Sequence, residues 1–188
     1  MASRRSSRAG STTCYHAHMN ADLSTSVAAL FIHGERGTRR GDATPTPMLA
    51  VHEVEAVTGW GIRQDARFFR PPDPGRPRVR QVSLIDEGTI GRHEQRFGPI
   101  PWRLVKSQMV LKGDIHLPDM IGAVLEFEDG PALTVAIARD PCFAMDLIAP
   151  GMKDAMEDGE QGALAQVTRD GLIRVGQSVI VRRPVTVI

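Results

Sequence analysis

Ala123-Val124-Leu125-Glu126-Phe127, a turn at Asp129-Gly130, and Ala132-Leu133-Thr134-Val135-Ala136-Ile137-Ala138 read together as a β-hairpin, and this stretch decides the fold. Leu133, Val135 and Ile137 recur at every second position, the period that puts side chains on one face of a strand. Asp-Gly supplies the backbone conformation that a tight hairpin turn demands. The second arm runs straight into Arg139-Asp140-Pro141-Cys142-Phe143. Pro141 carries no N–H and biases Asp140 toward extended geometry, so pairing must stop there and a thiol leaves the strand in a loop of fixed entry.

The same signals recur on both sides. Upstream, residues 27–32 form a short apolar strand, residues 34–47 a Gly-, Arg-, Thr- and Pro-rich loop, and residues 49–57 a second strand punctuated by Gly59-Trp60-Gly61-Ile62. Pro71-Pro72-Asp73-Pro74-Gly75 marks a turn-rich loop before a third strand at residues 79–85. Asp86 is placed to cap a short helix that carries Ile90 and Phe97 on one side and stops at Gly98-Pro99. Residues 104–111 read as a further strand. Downstream, residues 151–159 read as a mobile Gly-bounded segment, followed by strands at 163–168, 172–175 and 178–182 separated by Arg169-Asp170-Gly171 and Gly176. Seven or eight short strands with two or three short helical pieces predict a mainly β protein, a closed or partly closed β-barrel in which closure removes exposed edges.

The 188 residues suit one domain, expected over residues 27–188, behind a tail at residues 1–26 that is disordered or targeting-like. Arg4, Arg5 and Arg8 among several Ser and Thr, with no acidic residue before Asp22, are compatible with a mitochondrial transit peptide. With 23 basic and 22 acidic side chains, the formal charge of +1 gives no electrostatic reason to expect nucleic acid or an anionic membrane as partner. Cys14 and Cys142 are the two cysteines, which excludes a multi-disulfide framework and fits a reducing compartment, so the expectation is cytoplasmic, or mitochondrial if the tail is a targeting signal. No apolar stretch reaches the roughly 20 residues of a membrane-spanning helix. Cys14, His16 and His18 lack a defined fourth ligand and do not make a zinc site.

Cys142 is the strongest chemical signal. Arg139, three residues upstream, favours the thiolate form that attacks sulfur or binds metal; the plainer reading is a small buried hydrophobe. Arg80, on one face of its strand, and Gln81 and Ser83, on the other, either line a polar pocket or wet one side of the sheet. Asp65 and Arg67 either hold a polar or anionic ligand or form a surface ion pair. Lys106, Ser107 and Gln108 interrupt an apolar run and point either into a cavity or to water. His33, His52, His93 and His116 show no zinc-hydrolase spacing, and no nucleophile elbow, P-loop or dinucleotide-binding glycine motif is present.

In order, Gly61-Ile62-Arg63-Gln64-Asp65, Arg80-Gln81-Val82-Ser83-Leu84-Ile85-Asp86, Gly113-Asp114-Ile115 to Ile121-Gly122, Asp140-Pro141-Cys142 and Gly171-Leu172-Ile173-Arg174-Val175-Gly176 resemble the successive blocks of the MOSC domain, the C-terminal module of molybdenum cofactor sulfurases. The resemblance spans about residues 27–183 and suggests a small stand-alone member. It implies a β-barrel built around a pocket, and Cys142 as a persulfide carrier or a ligand to the metal of the molybdenum cofactor (molybdopterin). It also implies that Asp65, Arg67, Arg80, Gln81, Ser83 and Gln108 contribute to the cofactor pocket, with guanidinium groups clamping phosphate and pterin. Lys106 and Arg139 would assist the thiol. A sulfur-donor or redox protein is the implied partner, and the reaction class extends to reduction of N-hydroxylated compounds. The pyridoxal phosphate domain of full-length sulfurases is expected to be absent, since 188 residues cannot hold it beside the barrel.

Two departures stand out: the family's Gly-Asp before a histidine reads Gln64-Asp65-Ala66-Arg67 here, and its Glu-Asn reads Ser107-Gln108. Ser107 removes an ionic acceptor and Arg67 adds a permanent cation, so the pocket is expected to be more anion-friendly than a typical relative's. The competing expectation is a non-catalytic barrel that binds a small anion or a partner protein, with Cys142 as packing.

Overall fold

A computed structural model describes residues 22–34, 37–68 and 80–183. The strands are β1 (Leu23–Ile32), β2 (Leu49–Val51), β3 (Glu53–Val57), β4 (Gly61–Ile62), β5 (Val82–Asp86), β6 (Met109–Leu111), β7 (Val124–Phe127), β8 (Ala132–Ala138), β9 (Ala163–Arg169), β10 (Gly171–Arg174) and β11 (Ser178–Arg182). Two α-helices, α1 (Glu87–Phe97) and α2 (Met152–Ala155), complete the regular structure with three short 3₁₀ turns. Seven strands close into a barrel in the order β1-β6-β5-β9-β8-β7-β11, and β11 pairs back onto β1. All of its pairings are antiparallel except β5 with β6, whose parallel connection passes through α1. The long β1 makes closure possible: Leu23 to Ser26 pair with β11, and Val27 to Leu30 pair with β6 across a bulge between Val27 and Ala29. A small sheet, β10-β3-β4, stands beside the barrel.

The mainly β, closed-barrel expectation holds, and α1 is capped as its sequence requires. The Asp86 carboxylate accepts the Thr89 N–H at 2.9 Å, and Gly98 ends the helix at φ 80°. Several local expectations change. β1 begins at Leu23, inside the segment assigned to the tail, because Leu23 to Ser26 find partners on β11. The 49–57 strand breaks at His52 into β2, which pairs with β1, and β3, which pairs with β10 and β4. The 104–111 strand shrinks to Met109–Leu111, because Trp102–Leu104 coils into a 3₁₀ turn and Lys106 adopts φ 62°. Ile137 does not share the face of Leu133 and Val135: the β8–β9 register slips between Val135 and Ile137, leaving Ile137 37% exposed. The 151–159 segment is no mobile loop, since it forms α2 and buries Met152 and Met156 completely. Residues 1–21 and the Pro71 to Gly75 loop lie outside the described residues, as do Cys14, His16 and His18.

Two apolar clusters hold the chain. Val27, Val82, Leu84, Met109, Leu111, Leu125, Leu133, Val167, Val179 and Val181 belong to the first, which fills the barrel. Ile85, Ile90, Val110, Met145, Met152 and Met156 belong to the second, between the barrel wall and the helices. β5 is therefore covered on both faces, with Val82 and Leu84 in one cluster and Ile85 in the other. No helix among the described residues is long and apolar enough to cross a membrane.

Candidate functional site

A cleft of about 350 Å³ opens on the barrel flank over the start of β5. The resemblance implied a pocket inside the barrel; the interior is filled by the first cluster instead, and the cleft forms where three chain segments converge outside it. These are the exit of β1 at His33, the irregular approach to β6 at Lys106 and Gln108, and the exit of β8 from Arg139 to Ala144. The β3–β4 turn and the residues after it, from Trp60 to Phe68, form a further wall, and the loop between β1 and β2, with Thr38, Thr46, Pro47 and Met48, forms another. Gly61 lets that wall approach. At φ 108° it adopts a conformation that other residues avoid, and a Cβ there would lie 2.5 Å from the Gln81 carbonyl oxygen.

Asp65 ties the segments together. It is 2% exposed, which removes the surface ion-pair reading. Its Oδ2 accepts the His33 main-chain N–H at 2.8 Å and the Gln108 Nε2–H at 2.9 Å, and lies 2.8 Å from His33 Nδ1, while its Oδ1 accepts the Arg67 N–H at 2.8 Å. Burial pushes the Asp65 pKa up, but the hydrogen bonds from the His33 ring and main chain and from Arg67 N–H outweigh it, and the net direction is down. For His33, burial dominates and lowers the pKa against the opposing bond to Asp65; the nearby Arg67 and Lys106 charges lower it further.

Gln108 is the second clamp: its Oε1 accepts the Ser83 N–H at 3.0 Å while its Nε2 reaches Asp65. Ser83 Oγ accepts the Gln108 N–H at 3.0 Å and donates to the Lys106 carbonyl at 3.3 Å. Gln81 is spent on the scaffold, its Oε1 accepting the Val167 N–H at 2.9 Å. Both Gln81 and Ser83 are buried, so that face of the sheet is not the water-facing one.

The cations divide by depth. Lys106 is 8% exposed and its ammonium donates to the Thr46 carbonyl. Burial lowers its pKa, opposed by Cys142 and aided by Arg67 and Arg139. Arg139 donates to Ser107 Oγ at 2.8 Å and to the Val105 carbonyl at 3.4 Å. Desolvation of its guanidinium, opposed by Cys142 and aided by Arg67 and Arg80, pushes its pKa down to about 10. Arg67 and Arg80 lie exposed at the rim. Cys142 is exposed just past β8 and lines the same cleft, which removes the buried-hydrophobe reading. Its sulfur is within electrostatic reach of both Lys106 and Arg139.

Cys142, Arg139, Lys106, Asp65, Arg67, Arg80, Gln81, Ser83 and Gln108 thus all line one cleft, whereas Ser107 is buried outside its lining and accepts from Arg139. His33, which the sequence offered only as a histidine without zinc-site spacing, lines the cleft as well; its one further signal was its place at the exit of an apolar strand. Sequence reasoning missed an aromatic rim: Trp60 and Phe68 stand with ring centroids 5.5 Å apart, and Phe143 lines the same opening. Among the described residues, no three His, Cys, Asp or Glu side chains come together as a metal cage.

The fold defines a class already seen in solved structures. YUAD protein from Bacillus subtilis superposes with a TM-score of 0.71 at 18% identity, over 88% of this chain and 99% of that one. YiiM from Geobacillus stearothermophilus matches with a TM-score of 0.60 at 16% identity, over 84% and 74% of the two chains. YiiM from Escherichia coli gives 0.60 at 14% identity, over 86% and 72%. The protein therefore has a YiiM-like barrel fold. No protein-family model matches the sequence, and no curated protein matches it.

Proposed function

We propose that the protein is a MOSC-type barrel whose flank cleft binds the molybdenum cofactor and uses Cys142 as its reactive sulfur. The observation that carries this reading is an exposed thiol sharing one cleft with four cations, Arg67, Arg80, Lys106 and Arg139, against two carboxylates, Asp65 and Asp140. Such a cleft suits an anionic, phosphate-bearing ligand, and its volume of about 350 Å³ is that of a small-molecule site. Cys142 would serve as the soft protein donor to a metal that is otherwise held by the cofactor's own organic ligand. When bound, the cofactor supplies a redox-active metal.

The chain's own residues bind and orient. Arg67 and Arg80 at the rim offer planar donors to phosphate or pterin oxygens, while Lys106 and Arg139 hold positive charge beside Cys142. As a sulfur carrier, Cys142 thiolate attacks the outer sulfur of a donor persulfide, a new S–S bond forms, and the donor thiolate leaves. As a reductase, the protein takes two electrons and two protons from a redox partner and converts an N-hydroxylated base to the amine, with the oxygen leaving as water.

The test is metal and pterin analysis of protein purified from a host that makes molybdopterin. The expected result is molybdenum and pterin in the wild type, with metal content reduced in Cys142→Ser. Expression should also protect cells from hydroxylaminopurine, and Cys142→Ser should abolish that protection. Absence of both metal and pterin, together with a Cys142 that accepts no persulfide, overturns the reading and leaves an anion-binding barrel.

A further inference from the structure

His33 presents a hydrogen-bonding atom that the cleft itself does not use. The residue is 8% exposed and lines the cleft, and its Nε2 is buried without any hydrogen-bond partner. Buried polar atoms of this kind are uncommon because each forfeits its bond to water. The other ring nitrogen decides what Nε2 can do. Nδ1 lies 2.8 Å from Asp65 Oδ2, an oxygen that also accepts the His33 main-chain N–H and the Gln108 Nε2–H. An ionised carboxylate only accepts, so the ring proton sits on Nδ1 and Nε2 is left with a bare lone pair. The lowered pKa of His33 is in keeping with a neutral ring.

The charges around that lone pair are mixed. Asp65 lies behind the ring, and Arg67 and Lys106 are the cations that act on it. An anion drawn to Arg67 and Lys106 would therefore meet an acceptor beside those cationic donors. A fully deprotonated oxyanion sets lone pair against lone pair at that point. An anion that carries its own O–H or N–H closes the gap.

We propose that His33 Nε2 is a selectivity acceptor, and that the cleft takes an anionic group bearing an adjacent hydrogen-bond donor in preference to an anion with none. Asp65 acts through His33 as a positioning residue, fixing the tautomer and the ring plane. This rests on the reading of the cleft as an anion site, and is independent of whether the ligand is a molybdenum cofactor.

Inorganic phosphate and sulfate separate the two cases, because near neutral pH phosphate retains at least one O–H and sulfate retains none. Titration of the full chain, followed by NMR at pH 7.5, should show phosphate binding about tenfold more tightly than sulfate, the scale set by one buried acceptor left unmatched. His33→Phe, checked for native unfolding behaviour, should bring the two anions within about twofold of each other. Equal binding by the wild type, or a preference that survives in His33→Phe, overturns the inference. Should that variant fail to fold, the wild type still decides: phosphate must shift the His33 Nε2 nitrogen resonance and sulfate must not, and equal shifts or none overturn the inference. If neither anion binds, the anion-site reading falls and this inference with it. A phosphate preference in protein that carries no molybdenum or pterin would sustain the inference while the cofactor reading fails.

Discussion

The barrel interior and the cleft on its flank are built from the same strands and obey opposite rules. Inside, Leu84, Leu111, Leu125, Leu133 and Val181 are buried completely within one apolar cluster. One pleat away on the outer face of β5, Ser83 is also buried, bonded to Gln108 and to the Lys106 carbonyl, and Gln108 in turn is bonded to Asp65. Burial alone therefore does not identify the core. What distinguishes the two regions is how burial is compensated: by area removed from water inside, by paired donors and acceptors outside.

Breaking the interior should have the largest effect. Leu125→Ala or Leu133→Ala should cost about 2–5 kcal/mol in denaturant unfolding, because a filled barrel cannot collapse around the missing side chain. Asp65→Ala should come next, at about 2–4 kcal/mol, since it strips the acceptor from the His33 and Arg67 N–H groups and from Gln108 at once. A loss no greater than that of an exposed residue would show that the Asp65 knot does not hold the cleft.

Acid sharpens the contrast further. Unfolded His33 takes up a proton near 6.5, whereas folded His33 does so only at lower pH, so the unfolded chain binds more protons and stability declines as pH falls below about 6.5. Asp65 acts in the same direction further down: it stays ionised in the fold below its ordinary value of 3.8, so a second loss begins there. His33→Phe should flatten the first decline and leave the interior's contribution unchanged. An unfolding free energy that is constant between pH 7 and 5 in the wild type would contradict the buried dyad.

The smallest stability effects belong to the groups placed for binding. Arg139→Met should cost no more than about 1–2 kcal/mol, because relief of a desolvated cation offsets part of the loss of its bonds to Ser107 Oγ and the Val105 carbonyl, while anion affinity falls about tenfold. Cys142→Ser should change stability by less than about 0.5 kcal/mol, as expected of an exposed residue. A large destabilisation by Cys142→Ser would return the thiol to a packing role.

The strands of the hairpin were legible because Leu125, Leu133 and Val135 carry the two-residue period, yet the slip between Val135 and Ile137 was not, since nothing in Val135-Ala136-Ile137 marks an extra residue. Lys106 at φ 62° was equally opaque: lysine disfavours that conformation, and only the packing of the approach to β6 imposes it. The 151–159 segment looked loose from its glycines, but Met152 and Met156 became core once α2 had a barrel wall to pack on. In the cleft, residue types that stood out as polar interruptions of apolar strands proved to be neighbours. His33 did not stand out, because its partner Asp65 lies 32 residues away and meets it only through the turn at Gly61.

Local chemistry written along the chain determined that strands alternate, where Asp86 starts a helix, and that Pro141 delivers Cys142 at a strand exit. Tertiary structure alone decided that seven strands close on themselves, that the pocket lies on the flank rather than in the lumen, and that His33, Asp65 and Gln108 share one proton network. The physical reason is range. Side-chain period and turn preference act over a few residues, whereas closure and the meeting of distant polar groups depend on pairings between segments whose separation the sequence does not encode locally.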